Sequence, residues 1–179
     1  MSTKIKSIGI GAAAVIATQA GAGIVQGDPT IVSPFDHAQV DVVWVGSSAG
    51  YTGELQWVGT GFEQAPQTLW TNKDATPEQS FRIPQLFSAG ERVDFQYEII
   101  RGGIDAFSTA RPEDWAQFSV DASDPFDVLV GVEDIRLPRG DGDHNDAVFR
   151  VVFSQATVPS PGSVALLGMG GLIVTRRRR

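Results

Sequence analysis

The chain has no cysteine among its 179 residues. Disulfides, thiolate metal sites and a lipidated cysteine anchor are therefore excluded. Histidine is nearly absent too, with only His37 and His144. His37 stands among Asp36, Ala38 and Gln39 without a motif and reads as a surface or loop residue, and His144 reads as solvent-facing or hydrogen-bonding rather than ligating. Acidic residues are missing from both ends: none precedes Asp28 and none follows Asp146. Between those limits no apolar three-four stripe runs for a dozen residues, so a helical domain is not expected.

The acid-free ends are legible as targeting segments. Lys4 and Lys6 open a basic region, Ile8 to Ala17 form an apolar, Ala/Gly-rich stretch, and Ala20-Gly21-Ala22 offers a small-residue cleavage site, so residues 1–22 read as a signal peptide. At the other end, Pro159-Ser160-Pro161 precedes an apolar run that closes on Arg176, Arg177, Arg178 and Arg179. As a helix, residues 162–175 would span only ~21 Å at ~1.5 Å per residue, short of the ~30 Å hydrocarbon core. A terminal arginine block stays on the cytoplasmic side, which places the preceding domain outside. An exported chain without disulfides must hold its fold by core packing, with a bound metal as the one further aid open to it.

This order of features resembles PEP-CTERM proteins, bacterial exported proteins whose C-terminal tail is read by an exosortase, a membrane-embedded cysteine protease. The resemblance covers residues 158–179 and, loosely, the signal peptide. It departs at Ser160, where the family most often carries Glu. It implies an exosortase-type processing enzyme as partner, transient anchoring in the inner membrane, cleavage near the Pro-x-Pro, and delivery to the cell surface or extracellular matrix.

Removing both ends changes the charge balance. The whole chain carries 14 basic and 21 acidic residues, a net −7. Six of the basic residues lie in the ends, leaving eight against 21, or −13, for residues 23–157. Such a domain repels nucleic acid and attracts divalent cations. Its length suits one core, and its periodicity is that of strands. Val93, Phe95, Tyr97 and Ile99 alternate with Asp94, Gln96 and Glu98, and Ala147, Phe149, Val151 and Phe153 alternate around Arg150. Val40 to Val45, Leu55 to Val58, Trp115 to Val120 and Phe126 to Val132 are further candidates, separated by Gly-, Pro-, Asp- and Ser-rich turns. The fold class predicted is all-β, a single antiparallel β-sandwich or jelly-roll-like domain followed by a C-terminal transmembrane sorting helix.

The most chemically pointed stretch runs from Gly131 to Phe149. Asp141, Asp143 and Asn145 stand at alternate positions, Asp146 follows, and Glu133 and Asp134 lie just upstream. Hard cations such as Ca2+ take six to eight oxygen ligands, and this pattern supplies several from one loop. It is not an EF-hand: Asp146 holds the place of the turn-making Gly, and Val152 that of the bidentate Glu. The plain alternative is a solvated acidic turn whose side chains cap backbone amides. Clustered carboxylates repel one another, however, and an external cation relieves that repulsion.

The same stretch resembles an uncharacterised family of exported bacterial domains, often found on PEP-CTERM proteins. That family carries an E-D motif, a Gly-rich gap and D-x-D-x-N-D before a closing strand. Here Glu133, Asp134, Asp141, Asp143, Asn145 and Asp146 match, over a resemblance from about Leu86 to Phe153. It implies a β-sandwich with a calcium site and no known catalysis.

Catalytic readings are weak. Gly46 to Gly50 matches G-x-S-x-G around Ser48, but a nucleophile elbow must run into a helix, and a strand pattern follows. The leading expectation is a non-enzymatic, calcium-stabilised structural or adhesive protein of the cell surface. The alternative is a module binding extracellular polysaccharide through exposed aromatics, with Trp70 and Trp115 the open candidates and Trp44 and Trp57 expected in the core. A secreted hydrolase comes last.

Overall fold

The computed structural model describes residues 28–59 and 65–156. The signal peptide and the Pro159-Ser160-Pro161 tail with its arginines lie outside the described residues. Among the described residues no helix is long and apolar enough to cross a membrane.

Among the described residues, nine strands form two antiparallel sheets. They are β1 (Ala38–Gly46), β2 (Thr52–Val58), β3 (Gln67–Thr71), β4 (Ser80–Phe87), β5 (Asp94–Arg101), β6 (Ala106–Ser108), β7 (Phe118–Asp121), β8 (Asp127–Val132) and β9 (Ala147–Gln155), with a 3-10 helix η1 (Pro112–Gln117) before β7. The five-stranded sheet runs β4-β1-β9-β8-β7 and the four-stranded sheet β3-β2-β5-β6. Alternation explains why the strands bury one face. β1 turns Ala38, Val40, Val42 and Trp44 inward, and β9 does the same with Ala147, Phe149, Val151 and Phe153. β5 answers from the other sheet with Phe95, Tyr97 and Ile99.

Aromatic contacts tie the two layers together. Phe95 of β5 meets Phe149 of β9 edge-on at 5.0 Å, and Trp44 of β1 meets Trp70 of β3 at 6.1 Å. Such pairs contribute about 0.5–1.5 kcal/mol beyond the area they bury. Trp44, Trp57 and Trp70 all lie in the core, while Trp115 is half-buried and donates its indole N–H to the Thr109 carbonyl at 2.9 Å. An aromatic platform built on Trp70 is therefore not formed. Trp115 also falls in η1 rather than in a strand, since Pro112 opens a helical turn and the extended backbone resumes at Phe118.

Sheet pairing positions the acidic loop. β8 and β9 are adjacent, with Val132 opposite Ala147, so residues 133–146 leave and return at one point. The Asp146 N–H closes that base by donating to the Val132 carbonyl at 3.0 Å. The β1–β2 connection and η1 flank the same end, and both contribute contacts to the loop.

Candidate metal centre

The loop is braced from three sides before any carboxylate is considered. From η1, the buried Gln117 side chain donates to the Glu133 and Ile135 carbonyls, each at 3.0 Å, and accepts the Leu137 N–H at 2.8 Å. From the β1–β2 connection, Ser48 N donates to the Asn145 carbonyl at 2.9 Å, and Ser47 Oγ donates to the Asp146 carbonyl at 2.7 Å. His144 is buried with positive φ (53°), and its Nδ1 and Nε2 each lie 3.1 Å from a backbone carbonyl, of Gly142 and Ala116. It is a hydrogen-bonding strut, buried in the loop and not facing solvent. A carbonyl can only accept, so a neutral ring serves one of these contacts and a protonated ring both.

On this scaffold sit the predicted ligands. Glu133, Asp134 and Asp146 are buried, at 1%, 3% and 8% exposure, whereas Asp141 and Asp143 are exposed. A backbone amide holds one oxygen of each buried carboxylate. Gly142 N–H donates to Glu133 Oε2 at 2.8 Å, Tyr51 N–H to Asp134 Oδ2 at 3.1 Å, and Asp134 N–H to Asp146 Oδ2 at 2.8 Å. No arginine or lysine among the described residues forms an ion pair with them.

Two groups of three carboxylates converge closely enough to hold a metal ion: Glu133 with Asp134 and Asp146, and Glu133 with Asp141 and Asp143. In each group the ligand atoms lie within 4.8 Å of one another. Asn145 joins the second group indirectly, since its backbone N–H donates to Asp143 Oδ1 at 3.1 Å and its side-chain amide donates to Asp143 Oδ2. All six predicted residues line one pocket of about 320 Å³, together with Ser48 and Arg139.

The electrostatics follow from burial without compensation. Burial, then the charges of Asp134, Glu133 and Asp143, pushes the Asp146 carboxyl up to about 6, against the pull of the Asp134 amide. Glu133 is raised as well, by burial first and then by Asp141, with the Gly142 amide pulling the other way. Groups that resist ionisation in this way favour either a proton or a cation.

Two contributors are beyond sequence reasoning: Tyr51 and Gln117. Tyr51 touches Asp134 across 83 positions of chain through a backbone amide, which leaves no mark on residue type. Ser48, by contrast, sits between β1 and β2, so the G-x-S-x-G match is a strand-to-strand connection and not a strand-to-helix elbow. His37 is an exposed turn residue. In comparison with known proteins, no family model, no curated protein and no solved structure matches the chain.

Proposed function

We propose that the chain is a calcium-binding, non-enzymatic β-sandwich module of the cell surface or extracellular matrix, exported and sorted by its two ends. The observation that carries the calcium reading is the set of three buried carboxylates, each aligned by a backbone amide and none paired with a basic side chain. Burying unpaired charge is costly, and a divalent ion of the surrounding medium removes that cost. The donor set is oxygen only, which suits a hard cation over zinc or copper. Irregular loop carboxylates of mixed exposure suit the flexible coordination of Ca2+ better than the rigid octahedron of Mg2+.

Thermal unfolding of the purified protein with Ca2+ and with chelator tests this. A ligand at a hundred times its dissociation constant stabilises the native state by about 2.7 kcal/mol, a rise of several degrees. An unchanged melting temperature would sink the calcium reading, as would a rise retained in full by Glu133→Gln. The sorting half rests on residues 158–179 and is tested separately. In cells with an exosortase-type enzyme, intact-mass analysis should find the surface form lacking Arg176 to Arg179, and a variant with those arginines replaced by serine should escape processing.

A further inference from the structure

The carboxylates of the loop divide by exposure into two groups that share one member. Glu133, Asp134 and Asp146 form an inner group, enclosed by the sandwich, and Asp141 and Asp143 complete an outer group around the same Glu133. Five carboxylates carry a charge of −5; one divalent cation leaves −3, and two leave −1. A single ion at the inner group would also leave Asp141 and Asp143 facing Glu133 without a counter-charge.

A second, independent observation comes from the core beside β2, the strand that follows Tyr51. Tyr97 of β5 is 0% exposed, and its hydroxyl is buried without a hydrogen-bond partner. The ring tip lies against Gly53, where a Cβ would fall 2.5 Å from the hydroxyl oxygen. Two residues away, the Tyr51 amide holds Asp134. The charges of Asp134 and Asp146 reach the phenol and, after burial, push its ionisation upward. A buried O–H donor left unpaired costs about 1–3 kcal/mol, so a donor in this place needs an acceptor.

We propose that the acidic loop holds two divalent cations bridged by Glu133, an inner one on Asp134 and Asp146 and an outer one on Asp141 and Asp143. A water on the inner cation accepts the hydrogen bond of the Tyr97 hydroxyl. This rests on the cation reading above and extends it in number and in ligands. The inner site binds first, because its carboxylates are already aligned and excluded from solvent. The outer site stays open to solvent and fills second.

The test titrates the full chain, stripped by chelator, with Ca2+ alone, following heat by calorimetry and stoichiometry by native mass spectrometry. Two equivalents are expected in two steps. Asp143→Asn alters an exposed residue, and far-UV circular dichroism checks that it folds; it should lose the weaker equivalent and keep the tighter. Tyr97→Phe should weaken the tighter step by about ten- to a hundredfold, the usual effect of removing a group that supports a metal's ligands, and leave the weaker step unchanged. A single equivalent in the parent protein overturns the two-cation inference and leaves the calcium reading standing, whereas no binding overturns both. Loss of both equivalents in Asp143→Asn overturns the division into inner and outer sites. Equal affinities in Tyr97→Phe and the parent overturn the role of the hydroxyl.

Discussion

At Gly140 the loop passes so close to its own carboxylate that a Cβ would lie 2.3 Å from Glu133 Oε1 and 2.6 Å from the Ile135 carbonyl. Gly140→Ala must therefore displace the shared ligand of both groups. It should lower stability by about 1–3 kcal/mol, the usual range for overpacking, and weaken calcium-dependent stabilisation beyond that. Gly142→Ala is a milder companion: its φ of +72° strains any side chain, but nothing rigid lies near the new methyl. Urea titrations of both variants with and without Ca2+ separate the two effects.

Asp146 supplies a test in pH. Its carboxyl titrates at about 6 in the fold against an ordinary 3.8, and Glu133 shifts in the same direction. A raised carboxyl means that the fold favours the protonated acid. That stabilisation is complete below 3.8 and is lost as pH rises through about 6. Calcium demands ionised ligands, so its contribution grows across the same interval. Melting temperatures in chelator and in Ca2+ should therefore diverge as pH increases. Parallel curves would show that these carboxylates do not govern binding.

Among the elements, η1 and β9 serve the site in different ways. Gln117→Ala strips partners from the Glu133 and Ile135 carbonyls and the Leu137 N–H, which should cost about 2–4 kcal/mol for buried groups left unsatisfied. Calcium affinity should fall with it, since the brace under Glu133 is gone. Phe149→Ala removes the β9 ring that meets Phe95 across the sandwich and should cost about 3–5 kcal/mol. It should leave the increment added by Ca2+ unchanged, because the ring packs in the core against Phe95. Comparing the two variants by calorimetry distinguishes support of the core from support of the site.

Strand legibility in the sequence tracks how regularly each strand is buried. β1, β5 and β9 alternate cleanly, and their central residues are legible while one or both ends run two residues or so further than the pattern shows. β4 was not legible, because as an edge strand it buries only Ile83 and Phe87, four apart, and it tolerates Pro84 on the side that lacks a neighbour. β3 escaped because a register shift opposite Leu55 and Gln56 puts Leu69 and Trp70 inward in succession. β6, with three residues, is too short to show a period. At the site, the local run from Asp141 to Asp146 was readable because its spacing lies within one loop. The contributions of Tyr51 and Gln117 were not, because they depend on which elements become neighbours.

For the molecule as a whole, the excess of acid is itself a force. Residues 23–157 carry 21 acidic against eight basic residues, and self-repulsion of that kind opposes compactness. In chelator, raising monovalent salt toward ~1 M, where the screening length falls to about 3 Å, should raise the melting temperature. With Ca2+ bound the gain should be smaller, since the densest group of charges is already neutralised. An equal salt response in both conditions would place the repulsion elsewhere on the surface.

The pairing of β1 with β9 has a consequence for orientation. Ala38, where the first strand starts, lies opposite Gln155, where the last strand stops. The chain thus comes into the sandwich and goes out of it at one pole. The acidic loop lies at the other pole, beyond Ala147, roughly 25 Å away along a nine-residue strand at about 3.3 Å per residue. The clustered carboxylates of the loop therefore face away from the end at which β9 leaves the sandwich, like a lamp turned from its bracket. A pull through both ends first frees the clamp of Ile31 to Ser33 on Glu91 to Val93. It then opens β1 from β9 one pair at a time, as a zipper, and reaches the tip last.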